Sequence, residues 1–197
     1  MKLYTAPTSP FGRMASIVAR EHGIAVQEEF CNPFESDILA GINPLKLIPV
    51  LALDDGAVLL ESHLICEYFD SIGAGPTLYP EAGRWVWRTQ MMIGHGLAEA
   101  SVQLRLQQVL PDDEQSDTLM ERYQGRISRA VAQLEKQVGA LSPGARGSMR
   151  MDKICAVIGL GHVEFRHGDE WRAEAPKLAA WYDDAMLRPS LTETALK

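Results

Sequence analysis

Residues 48–69 read Ile48-Pro49-Val50-Leu51-Ala52-Leu53-Asp54-Asp55-Gly56-Ala57-Val58-Leu59-Leu60-Glu61-Ser62-His63-Leu64-Ile65-Cys66-Glu67-Tyr68-Phe69, and this stretch decides the fold. Two short apolar runs, 49–53 and 57–60, flank Asp54-Asp55-Gly56, whose glycine suits the tight turn of a β-hairpin. Ser62 is a suitable helix start. The helix that follows sets Leu64, Ile65, Tyr68, Phe69 and Ile72 on one face.

Working outward, Lys2 to Thr5 predicts a short strand, and Ala6-Pro7-Thr8-Ser9-Pro10 a turn-rich loop. Pro10 then falls at the first helical position, where a missing N–H costs nothing. Ser9 becomes the N-cap. Met14, Ile17 and Val18 follow at helical spacing, and Gly23 sits just past the helix end. Ile24, Val26, Glu28 and Phe30 alternate with Ala25, Gln27 and Glu29, predicting a second strand; residues 34–42 predict a short, irregular helix. The order βαβαββα predicts an α/β domain: a mixed four-stranded sheet with helices packed on it.

Downstream, Gly73-Ala74-Gly75-Pro76 opens a linker and the strand signals stop. Residues 82–109 and 116–141 predict two long helices, broken by Pro111-Asp112-Asp113, the second ended by Ser142-Pro143-Gly144. Its apolar face carries Tyr123, Ile127, Val131, Leu134, Val138 and Leu141. Met151 to Phe165 is apolar nearly all round, as a central buried helix is. Pro176 to Leu187 predicts a last amphipathic helix, stopped by Arg188-Pro189. The expected division is residues 1–75, a linker at 76–81, and an all-helical domain over 82–197.

The 197 residues are 46% hydrophobic and 23% charged, an ordinary globular balance. Nineteen basic against 26 acidic residues, a net charge of −7, argue against a nucleic-acid partner. No run approaches the roughly 20 apolar residues of a membrane span, and Arg84, Arg88 and Arg105 interrupt the best helix. The first ten residues lack the basic-then-apolar pattern of a signal peptide, so a cytoplasmic protein is expected. Cys31, Cys66 and Cys155 form no CxxC and read as small buried hydrophobes. His162, Glu164 and His167 lack helical metal spacing, so no metal is expected.

Three segments carry a resemblance. Thr8-Ser9-Pro10-Phe11-Gly12-Arg13 resembles the S-P-[FY]-x-R start of the first helix in serine-type glutathione transferases. Asn43-Pro44-Leu45 through Ile48-Pro49-Val50-Leu51 resembles their N-P-x-x-x-[VI]-P-x-L segment. Leu60-Glu61-Ser62 through Glu67-Tyr68-Phe69 resembles L-x-E-S-x-x-I-x-E-Y-[IL]. More loosely, Gly161-His162-Val163-Glu164-Phe165-Arg166 and Arg188-Pro189-Ser190 resemble segments of bacterial members. The resemblance implies a thioredoxin-like first domain, a helical second one, glutathione as ligand and co-substrate, a small electrophile as second substrate, and a homodimer.

Conjugation needs a thiolate, and a free thiol titrates near 8.5. Lowering that by about two pH units takes roughly 2.7 kcal/mol of preferential thiolate stabilisation. A hydroxyl donor at a positive helix end supplies an effect of that order. The resemblance gives this role to Ser9, with Tyr4 and Thr8 as rival hydroxyls; local sequence alone favours reading Ser9 as a plain cap. It further implies a cis Ile48–Pro49 bond whose flanking backbone pairs with the cysteinyl part of glutathione. Glu61 and Ser62 would take the ammonium and carboxylate of the γ-glutamyl end, though they also read as a capping pair. Lys46 is the nearest cation for the glycyl carboxylate, because Leu47 stands where relatives carry lysine. Phe11 joins the site and opens the second-substrate pocket, for which Trp85, Trp87, Met91 and Met92 are further candidates. In the second domain Arg150 and Lys153 replace the usual cap box of the central helix, leaving Ser148 or Asp152 to cap it. His95 and Glu99 read as an i,i+4 pair. A non-catalytic glutathione-binding module is the alternative reading; a thiol-disulfide enzyme would need cysteine at position 9.

Overall fold

The computed structural model describes residues 1–141 and 149–196. The chain forms two compact units, one of Met1–Tyr79 joined by the segment from Glu193, the other of Pro80–Thr192. Residues from Glu193, expected in the helical domain, therefore pack with the first unit, where the Arg20 guanidinium lies 3.7 Å from the Glu193 carboxylate.

The first unit runs β1 (Lys2–Thr5), α1 (Pro10–Glu21), β2 (Gln27–Phe30), α2 (Asp37–Ile42), β3 (Val50–Ala52), β4 (Val58–Leu60) and α3 (Ser62–Ile72). Its sheet has the order β2-β1-β3-β4, with β1 parallel to β2 and antiparallel to β3, and β3 antiparallel to β4. The Asp54-Asp55-Gly56 turn closes the hairpin, with Gly56 at φ +90°. The second strand is shorter than its alternation suggests: Ile24 to Val26 lie outside β2, with Ile24 N–H bonded to the Ala19 carbonyl behind α1. Leu3, Met14, Ile17, Val18, Leu51, Ile65 and Phe69 are fully buried between the sheet and its helices. The α3 face differs from expectation. Ser62, Ile65, Cys66 and Phe69 are buried, whereas Leu64 and Ile72 are about half exposed. The stripe i, i+3, i+4, i+7 thus starts from Ser62, one helical turn ahead of Ile65.

Asp70 fastens the end of this unit. Its carboxylate accepts from His22 Nε2 (3.0 Å), Leu78 N–H (2.6 Å) and the Thr77 hydroxyl (2.7 Å), tying α1, α3 and the outgoing chain together.

The second unit is α-helical: α4 (Arg84–Gln108), α5 (Asp117–Leu141), α6 (Met151–His167), α7 (Trp171–Glu174), α8 (Pro176–Ala185) and α9 (Pro189–Thr192), with a 3₁₀ turn at Asp112–Glu114. Helices α7 and α9 have only four residues each, too short to leave a periodic signal. Residues 142–144, expected to end α5, and Ser148 lie outside the described residues. Helix α6 is buried from Met151 to Val163. Arg150 caps it without a side-chain bond and instead grips the buried Asp152 carboxylate through Nε and Nη2, each at 2.6 Å. Glu99 pairs with Arg126 of α5 at 3.0 Å. Trp87 and Met91 are core residues, while Trp85 and Met92 face outward.

Within α6, His162 is buried with Nδ1 2.7 Å from the Ser101 hydroxyl. Burial pushes its pKa down to about 3, with Arg166 and His167 adding to the effect. It stays neutral in the folded chain, while in the unfolded chain it takes up a proton below about 6.5. The unfolded state therefore binds more protons between those values, and stability falls as pH drops through that window. The thermal midpoint is expected to decline from pH 7 to pH 4, with a shallower slope in His162→Gln; equal slopes would assign the acid sensitivity elsewhere.

Candidate functional site

The site is built by sheet register. Strand β3 follows the Ile48–Pro49 bond directly, and its first residue, Val50, pairs with Tyr4 near the end of β1. Val50 also pairs with Leu60, the last residue of β4, and Glu61 and Ser62 follow it immediately. Ser9 folds back onto this edge, its N–H donating to the Ala6 carbonyl at 3.0 Å. The register thus brings the segments that carry Ser9, Ile48–Pro49 and Glu61-Ser62, far apart in sequence, to one edge of the sheet. This is the edge outside the carboxyl ends of β1 and β2, where α/β sheets generally bind ligands.

Ser9 is the N-cap of α1, and its Oγ accepts the Gly12 N–H at 3.1 Å. A hydroxyl has two acceptor lone pairs and one proton. Capping occupies a lone pair and leaves the proton to be donated, so capping and donation to a sulfur are compatible in one side chain. Gly12 belongs to this arrangement: a Cβ there would fall 1.7 Å from Thr5 Oγ1, so only glycine lets α1 start this close to the end of β1. Tyr4 and Thr8, the rival hydroxyls, are both half-buried.

Ile48–Pro49 is a cis peptide bond. Across it, Glu61 occupies φ +74°, ψ 132°, an unusual backbone for a residue with a Cβ. Such residues cost on the order of 1 kcal/mol and gather at ligand sites. Its exposed carboxylate accepts the His63 N–H at 3.5 Å. Ser62 follows as the first residue of α3; it is fully buried, and its hydroxyl has no hydrogen-bond partner among the described residues. A buried orphan hydroxyl is costly. At a helix N-terminus it suits a carboxylate, which the helix dipole also favours.

Lys46 lies in the loop before Ile48 at φ +52°, with its ammonium donating to the Phe34 carbonyl at 3.3 Å. Leu47 is exposed. Phe11 is half-buried in the first turn of α1.

Two features escaped the sequence reading. One is a cleft of about 110 Å³ beside Ser9, lined by Thr5, Ala6, Arg13, Ser16, Glu28 and neighbours. The Ser16 hydroxyl donates to Glu28 at 2.7 Å, and Arg20 reaches the same carboxylate at 3.2 Å. The spacing 9, 13, 16, 20 marks one helix face and was the available signal. The other is Asn43, buried, with its side chain bonded at both ends to the loop it precedes.

Two of the chain's own thiols, those of Cys31 and Cys155, are turned away from ionisation. Burial pushes Cys31 up, helped by Glu29, and its Sγ lies 3.7 Å from the Thr5 carbonyl. Burial raises the Cys155 thiol far more. Among the described residues no three His, Cys, Asp or Glu side chains gather as a metal site, and no helix is long and apolar enough to cross a membrane.

Comparison with known proteins matches residues 3–77 to the glutathione S-transferase N-terminal domain family. The GST-like protein YibF of Escherichia coli strain K12 is 28% identical over 202 residues, covering 98% of each chain. A glutathione transferase family member from Pseudomonas fluorescens Pf-5, solved with bound glutathione, is 32% identical at a TM-score of 0.90, covering 100% of this chain and 98% of that one. It has also been solved with S-(propanoic acid)-glutathione, at 31% identity, a TM-score of 0.85 and complete coverage of both chains. A glutathione S-transferase from Methylobacillus flagellatus KT with glutathione bound is 27% identical at a TM-score of 0.91, covering 100% and 99%. With its thioredoxin-like sheet, its helical second unit and relatives of this similarity along its whole length, the chain belongs to the glutathione transferase family.

Proposed function

We propose that the chain conjugates glutathione to small electrophiles, with Ser9 as the residue that stabilises the thiolate. Residues 1–75 hold glutathione, the helical region over 82–197 follows the linker at 76–81, and the working protein is a cytoplasmic homodimer with a detoxifying role. The observation that carries the reading is the fully buried Ser62 hydroxyl at the start of α3, without a hydrogen-bond partner among the described residues, on the sheet edge to which the segments of Ser9 and Ile48 also run.

In this reading the γ-glutamyl carboxylate accepts from Ser62, and Glu61 takes the ammonium. The Ile48 backbone pairs with the cysteinyl unit, and Lys46 exchanges the Phe34 carbonyl for the glycyl carboxylate. The sulfur then lies at the start of α1, where the Ser9 hydroxyl donates to it. The thiol proton leaves to solvent, the sulfur lone pair forms the S–C bond, and the electrophile releases its leaving group or takes up a proton. No covalent enzyme intermediate forms; positioning and charge stabilisation do the work. The thioether of glutathione bound by the Pseudomonas fluorescens relative supports addition at sulfur.

Calorimetric titration with reduced glutathione tests it. One site per chain with micromolar-to-millimolar affinity is expected. Ser62→Ala should weaken binding about tenfold, the scale of one hydrogen bond to a charged group. No binding at several millimolar would sink the reading and leave a member of the fold that works without this ligand.

A further inference from the structure

We propose that Asn43 is a positioning residue that aims the Ile48 N–H at the ligand. The inference rests on the glutathione-binding reading above and adds a residue to it.

Asn43 closes α2 and starts the loop to Ile48, and four of its polar groups are committed to that geometry. Its N–H donates to the Leu39 carbonyl at 2.8 Å, and its carbonyl accepts the Lys46 N–H at 2.9 Å. Its side-chain Oδ1 accepts the Leu45 N–H at 2.9 Å, while Nδ2 donates to the Leu47 carbonyl at 2.8 Å. The side chain is 98% buried by residue exposure, with 2% accessible, so these bonds do not compete with bulk water.

The Leu47 carbonyl and the Ile48 N–H belong to one peptide unit. That unit is planar, and in the usual trans form its C=O and N–H point in opposite directions. Fixing the carbonyl toward Asn43 therefore fixes the N–H away from it. Ile48 lies outside β3, ahead of the cis bond to Pro49 and beyond the last register pairs of Val50 with Tyr4 and Leu60, and the proposed function has its backbone pair with the cysteinyl unit. Lys46 at φ +52° turns the chain immediately before this unit, and a loop bent in that way needs an anchor to hold one orientation.

Few side chains can replace Asn43. Aspartate keeps the acceptor for Leu45 and loses the donor for Leu47, placing a negative charge against that carbonyl. Alanine loses both bonds. Glutamine carries the same groups one methylene too far.

The test compares Asn43→Asp and Asn43→Ala with the unaltered chain, using reduced glutathione and S-methylglutathione as probes. The readouts are calorimetric Kd, the pKa of the bound thiol by ultraviolet absorbance, thermal midpoints without ligand, and the Ile48 amide resonance in nitrogen-15 spectra. The expected result is a Kd about tenfold weaker for both probes in both variants, with the bound thiol's pKa unchanged because Ser9 is untouched. In the unaltered chain the Ile48 amide should shift on saturation; in Asn43→Asp its free-state position should already differ. Binding within twofold of the unaltered chain overturns the proposal, as does loss of the folded state in both variants, which would make Asn43 a stability residue. If the unaltered chain fails to bind, the functional reading itself fails and this inference falls with it.

Discussion

Gly94→Leu is expected to abolish the folded product, and Gly94→Ala to lower the thermal midpoint by about 10 °C. Helices α4 and α6 meet backbone to backbone at this glycine. A Cβ on Gly94 would sit 2.5 Å from the Ala156 nitrogen and 2.6 Å from the Cys155 carbonyl carbon. On the facing helix, a Cβ on Gly159 would meet the Gly94 carbonyl oxygen at 2.7 Å. The obstructing atoms are main chain, so no rotamer change relieves the clash and the helices must separate. Overpacking of this kind costs about 3 kcal/mol even for one methyl. In a chain of roughly 200 residues each kcal/mol moves the midpoint by about 2–4 °C. Leucine adds three further carbons against α6, whose residues are buried from Met151 to Val163. That penalty approaches the roughly 5–15 kcal/mol that holds a domain folded. Gly96, two residues along α4, is the control: a Cβ there meets nothing within 4 Å. Gly96→Ala should stabilise by about 0.5–1 kcal/mol through helix propensity. Melting curves of the three variants decide the matter, and a neutral Gly94→Ala would refute the close approach.

Replacing Ser9 should produce the largest loss of activity. A hydrogen bond to a charged acceptor contributes about 1.5–3 kcal/mol, equivalent to one to two pH units in the bound thiol's pKa. Ser9→Ala should raise that pKa by this amount and cut kcat/KM near neutral pH by about 10- to 100-fold, with much of the loss recovered as pH rises. Alanine also removes the α1 cap, at about 1 kcal/mol of stability. Ser9→Asp separates the two roles. Its carboxylate still accepts the Gly12 N–H that Ser9 holds at 3.1 Å, so the midpoint should stay near that of the unaltered chain. It has no proton to donate and sets a negative charge by the sulfur, so its activity should fall at least as far as alanine's. Activity retained in both variants would transfer the thiolate role to another group, with Tyr4→Phe the next measurement.

Where the sequence was informative, a residue type met a local demand. Proline at the first position of α1, serine ahead of it and glycine in the hairpin each answer a backbone need within a few residues, so the order of the first seven elements was readable. Of the candidate site, the Ser9 cap was legible from local sequence and the cis Ile48–Pro49 bond from the resemblance. What stayed hidden depends on distant partners. The Asn43 side chain looks like any loop asparagine until the Leu47 carbonyl is in place beside it. Glu99 has His95 one helical turn away in the sequence, and only the packing of α5 on α4 reveals Arg126 as its ion-pair partner. The exposed Leu64 and Ile72 count as apolar in any periodicity, and burial of Ser62 shifts the core face of α3 away from them.

The state of the cysteines has a further meaning if the chain handles electrophiles as proposed. Any reagent reactive enough to alkylate glutathione also attacks protein thiolates, so such a catalyst works amid compounds that inactivate exposed, ionised cysteine. Cys66 and Cys155 are fully buried, and the half-buried Cys31 is held toward its protonated form. Reactivity follows thiolate fraction and access together. Under the proposed function the protein is thereby spared self-alkylation: the sulfur rendered nucleophilic belongs to a ligand that departs with the product, and the protein's own sulfurs outlast each turnover.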